Sequence, residues 1–241
     1  MLVAGFDLET TGLNLESDSI IESAVVLWDT ERKCPMKIYS EMVFGRHIPP
    51  LEPIITELTG ITNKDLESFG RPAFEVLDKS RKLLEEADYI IAHNGNIFDR
   101  PMFANNCERH SVKPVDRPWI DTVCDVQFPV SMNTRKLKHL AAEHGFVNPF
   151  AHRALFDVLT MLRVAQDYDW EQIIAYAKAP NLIVKAETSF QQKELAKKQN
   201  FMWNNEKKIW FKNIKDFQLE ATRKAALDAG FNITVLTGDK K

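Results

Sequence analysis

The chain has 241 residues, of which 44% are hydrophobic, and 31 basic against 34 acidic side chains give a formal net charge of −3. This length supports one large domain, or one domain with a small appendage, and the near-neutral charge excludes binding of polyanions through a strong overall positive field. Three cysteines without a CxxC pair argue against a disulfide framework or a zinc knuckle. The apolar N-terminus reads as a strand rather than a signal peptide, and no apolar run reaches membrane-spanning length, so we expect a soluble, cytoplasmic protein without a membrane partner.

The order of apolar patterns predicts strands first and alternating strands and helices afterwards. Apolar and β-branched runs predict strands over residues 2–8, 20–28 and 37–44, plausible antiparallel neighbours. Further along, the patterns predict helices over 73–87, 98–109, 137–144 and 154–168 and strands over 89–92 and 119–122. This order predicts an α/β domain with a mixed sheet flanked by helices.

The C-terminal quarter differs from the rest in charge. Residues 181–241 hold 12 basic and 7 acidic side chains, net +5, which leaves 19 against 27, net −8, for residues 1–180. Its patterns predict a helix over 190–199, a hairpin of strands 201–203 and 209–211, a helix over 216–229 that ends at Gly230, and a strand over 233–236. We therefore expect two domains, 1–180 and 181–241, the second a small basic α+β module.

The module interleaves aromatic and basic side chains around the predicted hairpin. These are Phe201, Trp203, Trp210 and Phe211 beside Lys207, Lys208, Lys212 and Lys215. Such interleaving favours contact with nucleic acid. The alternative is that the aromatic side chains form the small core that a module of this size needs.

Two acidic side chains lie two residues apart at the end of the first predicted strand. Asp7 and Glu9 project from the same face of that strand, because side chains alternate along a strand. Two carboxylates so close repel each other unless a cation lies between them, and Mg²⁺ prefers such hard oxygen ligands. An isolated Asp-x-Glu is more often two exposed acids, so this pair alone does not define a site.

Three other polar positions lie where α/β domains commonly bind ligands. Asp99 opens a predicted helix after the strand 89–92, which His93-Asn94-Gly95 follows. Asp157 lies on the most apolar predicted helix, where a buried acid needs a partner. His152 precedes that helix, and a histidine suits the deprotonation of an attacking water near neutral pH.

Together these residues resemble the DnaQ-like 3′→5′ exonucleases of the DEDDh subclass, over roughly residues 1–170. Asp7 and Glu9 match the first motif, Asp-x-Glu-Thr-Thr-Gly, and Asp99 matches the second, His-Asn-x(3)-Phe-Asp. His152 and Asp157 match the third, His-Arg-Ala-Leu-x-Asp. The second motif has one residue more than its common version, a spacing that also occurs in the family. The resemblance implies a ribonuclease H-like fold.

The resemblance also implies a two-metal mechanism with Mg²⁺, for which Mn²⁺ would substitute. Two ions ~4 Å apart would clamp the scissile phosphate. Asp7 would bridge them, Glu9 and Asp157 would hold the ion that carries the attacking water, and Asp99 would hold the second ion. His152 would take the proton from that water, and a nucleoside 5′-monophosphate would be released.

Substrate contacts follow from the same resemblance. Thr10 and Thr11 would hold the terminal 3′-OH, and Leu13 would wedge against the terminal bases. Asn94 and Phe98 would line the opposite wall, with Phe98 as a stacking surface. Core packing is the alternative for Leu13 and Phe98.

The sequence therefore predicts a metal-dependent 3′→5′ exonuclease whose partner is a nucleic acid with a free 3′ end, DNA being favoured. Two alternatives stay open at this point. One is an exoribonuclease or oligoribonuclease on the same scaffold, because discrimination at the 2′-position is not visible in the sequence. The other is a non-catalytic nucleic-acid-binding module. The oligomeric state is not specified by any of these patterns.

Overall fold

The strands and helices form two units, Met1–Ala177 and Lys178–Lys241. The computed structural model describes residues 1–129, 131–132, 134–189, 192–205 and 207–236. Strands of the first unit are β1 (Leu2–Thr10), β2 (Ile20–Asp29), β3 (Cys34–Met42), β4 (Tyr89–Ala92) and β5 (Trp119–Asp121). Its helices are α1 (Pro53–Thr59), α2 (Asn63–Phe69), α3 (Ala73–Glu85), α4 (Asp99–Arg109), α5 (Thr122–Asp125), α6 (Leu137–Glu143), α7 (Ala154–Ala165) and α8 (Trp170–Lys178), which ends at the boundary.

The five strands form one mixed sheet in the order β3-β2-β1-β4-β5. The three N-terminal strands pair antiparallel as predicted, whereas β1 pairs parallel with β4, and β4 with β5. One face packs against α3 and α4 through residues such as Phe6 and Leu77, and the other packs against α7 through Val3 and Val158. Because both faces are covered, β1 and β2 are apolar along most of their length.

The second unit is a small antiparallel sheet with two helices. Its strands are β6 (Asn181–Glu187), β7 (Met202–Asn204), β8 (Ile209–Lys215) and β9 (Asn232–Leu236), in the order β7-β8-β6-β9. Helices α9 (Lys193–Lys198) and α10 (Leu219–Asp228) contribute Ala196 and Ala226 to its core, together with Phe201 and Phe231. The predicted fold class, a mixed sheet flanked by helices plus a small α+β module, is confirmed.

The sequence missed five short elements, α1, α2, α5, α8 and β6. Helix α1 has Pro53 in its first turn, which we interpreted as a chain break although proline is tolerated there. Helix α2 is announced by a capping box between Thr62 and Asp65, but its seven residues give too little periodicity. Strand β6, for which the sequence pattern predicted no element, pairs with β8 and β9 and buries Val184.

Two predicted elements of the second unit shift in the structure. The predicted helix over 216–229 begins as a single 3₁₀ turn, Asp216–Gln218, before α10. The predicted helix over 190–199 includes Phe190 and Gln191, and the predicted hairpin turn includes Glu206; these three lie outside the described residues. Among the helices that the structure describes, none combines the length and apolar character needed to cross a bilayer.

Candidate active site

The C-terminal end of β1 directs two carboxylates toward α7. Gly5, Asp7 and Glu9 share one face of the strand by alternation. A Cβ at Gly5 would lie 2.7 Å from Leu162 Cδ1 and Val158 Cγ1, so the absence of a side chain lets α7 approach the strand closely. This approach brings the first turn of α7 beside the acidic end of β1.

Three of the predicted carboxylates meet at this point. Asp7, Glu9 and Asp157 each offer one oxygen atom, and these atoms all lie within 4.8 Å of one another. Glu9 is buried, with 8% of its surface exposed, while Asp7 and Asp157 are partly accessible. Three acids from two distant segments therefore form one cluster of oxygen ligands.

Asp99 adds a fourth carboxylate next to this cluster. It is the first residue of α4 and only 3% exposed, and its negative charge acts directly on Asp7. Backbone hydrogen bonds from Asp99 itself and from Leu8 hold its carboxylate. The structure thus brings a buried Asp99 close to the cluster of Asp7, Glu9 and Asp157.

Burial and mutual repulsion raise the pKa values of the group. Burial raises the pKa of Glu9 to about 8, and the charges of Asp157 and Glu22 add to the effect. Burial also raises the pKa of Asp99 to about 7. The pKa of Asp7 lies well above its ordinary value because of burial and the charge of Asp99, and burial raises the pKa of Asp157. Each shift means that the anionic form lacks compensating positive charge.

A divalent cation fits this arrangement. The ligand atoms are carboxylate oxygens, which Mg²⁺ and Mn²⁺ prefer. The nearby cation Arg153 lowers the pKa of Glu9, but its guanidinium is hydrogen-bonded to Glu22. The raised pKa values therefore mark a place where an added positive charge is stabilising.

Asp157 is held in place by the loop that precedes α7. Its Oδ2 accepts a hydrogen bond from the Arg153 backbone N–H at 3.1 Å, and its Oδ1 accepts one from Asn148 Nδ2 at 3.0 Å. His152 lies in this loop with a left-handed φ of 64° and an exposed side chain. The predicted base thus lies next to the cluster in a position open to solvent.

Glu22 and Arg153 are charged residues of this region that the sequence pattern did not predict as part of the site. Glu22 Oε1 and Oε2 accept from the Arg153 guanidinium at 2.8 and 3.2 Å, and Oε2 also accepts from the Ala154 N–H at 2.9 Å. Glu22 is 3% exposed and lies directly opposite Glu9 in the sheet. A lone acid within the apolar run of β2 was the available signal.

Asp121 is a second missed residue, and it fixes the loop before Asp99. Its carboxylate accepts hydrogen bonds from the backbone N–H groups of Asn94 and Asn96, at 3.0 and 3.1 Å, and from that of Val123. Asn94 has a left-handed φ of 66°, so the loop needs such anchoring. The end of β5 therefore shapes the segment that leads into α4.

The predicted substrate-binding residues have mixed surroundings. Thr10 Oγ1 donates to the Gly12 carbonyl and Thr11 Oγ1 to Asp18 Oδ1, so both hydroxyls already stabilise the turn after β1. Asn94 is exposed, and Phe98 is half-buried against the core cluster of the α3 face. Leu13 is 82% exposed, which excludes core packing as its role.

Further exposed apolar side chains lie close in sequence to the acids. Ile97 precedes Asp99 by two residues, and Phe156 adjoins Asp157. Phe150 packs on Phe156 with ring centroids 4.7 Å apart, and both rings remain exposed. Together with Leu13, these exposed apolar side chains close in sequence to the acids are called the apolar rim.

An α/β domain with two carboxylates on the central strand of a mixed sheet and two more on adjoining helices has the architecture of ribonuclease H-like nucleases. Residues 4–165 match the family model described as "Exonuclease". The DNA polymerase III subunit epsilon of Treponema pallidum is 32% identical over 177 residues, which are 72% of this chain and 77% of that protein. The chain therefore belongs to the exonuclease family, and its predicted membership of the DnaQ-like group is confirmed.

A second relative is much longer than this chain. The PolC-type DNA polymerase III of Mycoplasma pneumoniae is 31% identical over 171 residues, which are 70% of this chain and 11% of that protein. The chain thus spans about a tenth of the PolC-type relatives that it matches.

Solved structures of low sequence identity share the fold. The E. coli ExoI complex with single-stranded DNA has a TM-score of 0.68 at 14% identity, and covers 95% of this chain and 69% of its own. The nuclease domain of 3′hExo, a DEDDh family member bound to rAMP, has a TM-score of 0.56 at 23% identity, covering 69% of this chain and 90% of its own. These likenesses confirm the ribonuclease H-like architecture.

Proposed function

We propose that this chain is a divalent-metal-dependent 3′→5′ exonuclease that acts on DNA and releases nucleoside 5′-monophosphates. The observation that carries the proposal is the convergence of Asp7, Glu9, Asp99 and Asp157 at one end of the sheet. Membership of the exonuclease family supports the same chemistry. A purely structural role does not account for the site, because uncompensated buried carboxylates destabilise a fold.

The resident ions in this proposal are two Mg²⁺, with Mn²⁺ as a substitute. Asp7, Glu9 and Asp157 would hold the first ion, and Asp99 with Asp7 would hold the second. When bound, such ions supply Lewis-acid polarisation of a phosphate and positive charge against the charge that develops on its oxygens. Their charge also returns the four carboxylates to the anionic form.

His152 is the proposed general base. Two observations support this role: His152 is exposed in the loop before α7, and it lies near enough to Asp157 to influence that carboxylate. There it takes the proton from the attacking water and passes it to solvent. The nearby imidazole also lowers the pKa of Asp157.

The apolar rim is the proposed contact for the end of the substrate strand. Leu13 and Ile97 offer exposed aliphatic surface, and Phe150 and Phe156 offer ring faces. Unpaired bases stack on such side chains irrespective of sequence. Backbone groups of Thr10 and Thr11, with Asn94 and Phe98, complete the proposed substrate site.

DNA is the favoured polymer because several curated relatives of this chain carry the name DNA polymerase III. The test is hydrolysis of matched DNA and RNA strands, each labelled at the 5′ end in one preparation and at the 3′ end in another. We expect Mg²⁺-dependent release of labelled mononucleotide at once from 3′-labelled DNA, and a ladder of shortened strands from 5′-labelled DNA. EDTA and Asp7→Ala should both abolish release. Faster cleavage of RNA would reject the choice of DNA, and release of the 5′ label first would reject the direction.

A further inference from the structure

A cleft in the second unit is lined by residues at the end of β6, in β7 and β8, and at the start of α9. Its volume is about 700 Å³, within the range of pockets that hold small molecules. The walls combine two indole rings with the side chains of the end of β6 and the start of α9. The residues that matter for its chemistry are Trp203, Trp210, Lys185, Lys193, Lys208 and Glu187.

The two indole rings of the cleft contact each other, and this contact leaves part of their surface uncovered. Trp203 and Trp210 are direct cross-strand partners on β7 and β8, with ring centroids 5.5 Å apart and planes tilted by 54°. Trp203 Nε1 donates to Asn205 Oδ1 at 2.9 Å, which orients a side chain that is 44% exposed. Because the rings are tilted rather than stacked, aromatic surface remains available to a ligand.

The alternative prediction was that the aromatic side chains of the hairpin form the core of this unit, and it applies to only some of them. Phe201 is 4% exposed and packs on Phe231, so it belongs to the core of the unit. Trp210 packs partly against that core, while Trp203 does not join it. The structure therefore separates a core aromatic from an aromatic surface within one hairpin.

The described residues that line the cleft carry more positive than negative charge. Their charged side chains are Lys185, Lys193, Lys208 and Glu187. Glu187 accepts a hydrogen bond from Lys185 Nζ at 3.0 Å, and hydrogen bonds from Lys185 and Thr234 lower its pKa. The surrounding residues 181–241 carry a formal charge of +5, so an anionic ligand is favoured over a neutral one.

We propose that this cleft binds single-stranded nucleic acid, with a base against Trp203 and Trp210 and backbone phosphates against the lysines. Planar aromatic surface beside ammonium groups matches an unpaired nucleotide, whereas a duplex keeps its base faces stacked inside. The inference rests on the proposed function, because a strand held here is part of the strand that the first unit would degrade. It gives the second unit a binding site of its own.

Binding is tested with the full chain carrying Asp7→Ala, which leaves the strand intact. The probe is a fluorescein-labelled oligothymidylate of about 16 nucleotides, the upper end of known single-strand site sizes. In that background, we expect Trp203→Ala to weaken binding about 5- to 100-fold in fluorescence anisotropy, and Trp203→Phe to retain most of the affinity. Unchanged affinity of a folded Trp203→Ala protein would overturn the proposal.

A matched pair of lysine variants separates the cleft from the general positive field. Lys208→Gln removes a charge from the cleft, and Lys224→Gln removes one from the exposed side of α10. We expect Lys208→Gln to weaken binding and to lower the slope of log K against log salt by about 0.7, and Lys224→Gln to change neither. Equal effects of the two variants would overturn the proposal, including in the case that Trp203→Ala fails to fold. Equal loss of affinity for single strand and blunt duplex would overturn the assignment to a single strand.

Hydrolysis assays with protein that keeps Asp7 separate this inference from the proposed function. A nitrophenyl ester of thymidine 5′-phosphate reports on the acidic cluster alone, because it has no strand to reach another site. We expect Trp203→Ala to leave hydrolysis of this ester unchanged and to raise KM, not lower kcat, for the long oligothymidylate. Failure of the unmodified protein to hydrolyse the ester would count against the proposed function, whereas the anisotropy results decide the cleft independently.

Discussion

Glu9 on β1 and Glu22 on β2 are both buried and pair directly in the sheet, but their surroundings differ. Glu22 on β2 is bound by the Arg153 guanidinium and by the first N–H of α7, so the protein itself neutralises it. Glu9, its direct partner on β1, is surrounded by Asp7 and Asp157, and its pKa rises to about 8. The contrast shows that burial of an acid alone does not identify a site; burial without a compensating cation does.

The largest effect on activity should come from removing Asp7, the acid that would contact both proposed ions. We expect Asp7→Ala to lower Mg²⁺-dependent nucleotide release by about 10⁴-fold, or about 5.5 kcal/mol, since no neighbouring group replaces its contact with both proposed ions. Circular dichroism should show an unchanged fold. The matched control is Glu16→Ala, an exposed acid after the same strand, which should keep full activity. Undiminished release by Asp7→Ala would contradict the proposed function.

Removing Arg153, the cation that neutralises Glu22, should lower the stability of the protein rather than its rate of hydrolysis. Arg153→Gln leaves Glu22 buried without its cation, and we expect a loss near the lower end of about 3–5 kcal/mol, because Arg153 itself is 35% exposed. Urea denaturation measures the loss. Arg163→Gln, which removes an exposed pair with Asp167 on the same helix, is the control and should change stability by less than about 1 kcal/mol. If both variants lose the same amount, Glu22 is not compensated by Arg153.

His152 should separate proton transfer from ion binding. We expect His152→Ala to lower kcat about 10²- to 10³-fold, within the range of general-base contributions, while Mg²⁺ affinity stays unchanged. Single-turnover kinetics and calorimetric titration with Mg²⁺ measure the two quantities. His139, exposed on α6, supplies the control variant His139→Ala, which should behave like the unmodified protein. Full activity of His152→Ala would remove it from the proposed mechanism.

A further expected effect is a pH dependence of the stability of the metal-free protein. A folded-state pKa above the unfolded value means that the folded protein binds more protons, so stability falls as pH rises. For Glu9 the contribution is complete below about pH 4.5 and is lost up to about pH 8, at about 1.36 kcal/mol per pH unit for a fully coupled group. In EDTA we expect Tm to fall over this window, and Mg²⁺ to raise Tm more at the alkaline end. Glu9→Gln should flatten the dependence and Glu16→Gln should not; a Tm that rises with pH in EDTA would contradict the assigned direction.

The sequence predicted the long elements because their periodicity is strong. The burial of β2 and the α7 pattern of Leu155, Val158 and Leu162 leave little choice of structure. Short elements such as α1 and α2 were missed, since their seven residues are stabilised by Pro53 and by the Thr62–Asp65 capping box rather than by a repeated apolar pattern.

The five residues of the proposed catalytic site were named from the sequence, whereas their supports were not. Asp7, Glu9, Asp99, His152 and Asp157 stand in motifs with fixed local spacing. Glu22 and Asp121 support them from other segments, and Asn148 supports Asp157 from the loop before α7. Glu22 acts 131 residues away from Arg153, and Asp121 acts 27 residues away from Asn94. Such contacts depend on strand order and helix placement, which local spacing does not encode.

The sequence by itself determined the type of chemistry, because that chemistry follows from residue types at short, fixed spacings. Asp7 and Glu9 are two residues apart, and His152 and Asp157 are five residues apart. Only the tertiary structure decided which acids remain without compensation, because Glu9 and Glu22 differ in their three-dimensional neighbours and not in residue type. The same holds for the aromatic residues of the second unit, where cross-strand pairing and burial distinguish core Phe201 from exposed Trp203. Charge compensation and solvent exposure depend on the folded surroundings of a residue. They distinguish the residues of the proposed sites from those that only support the fold.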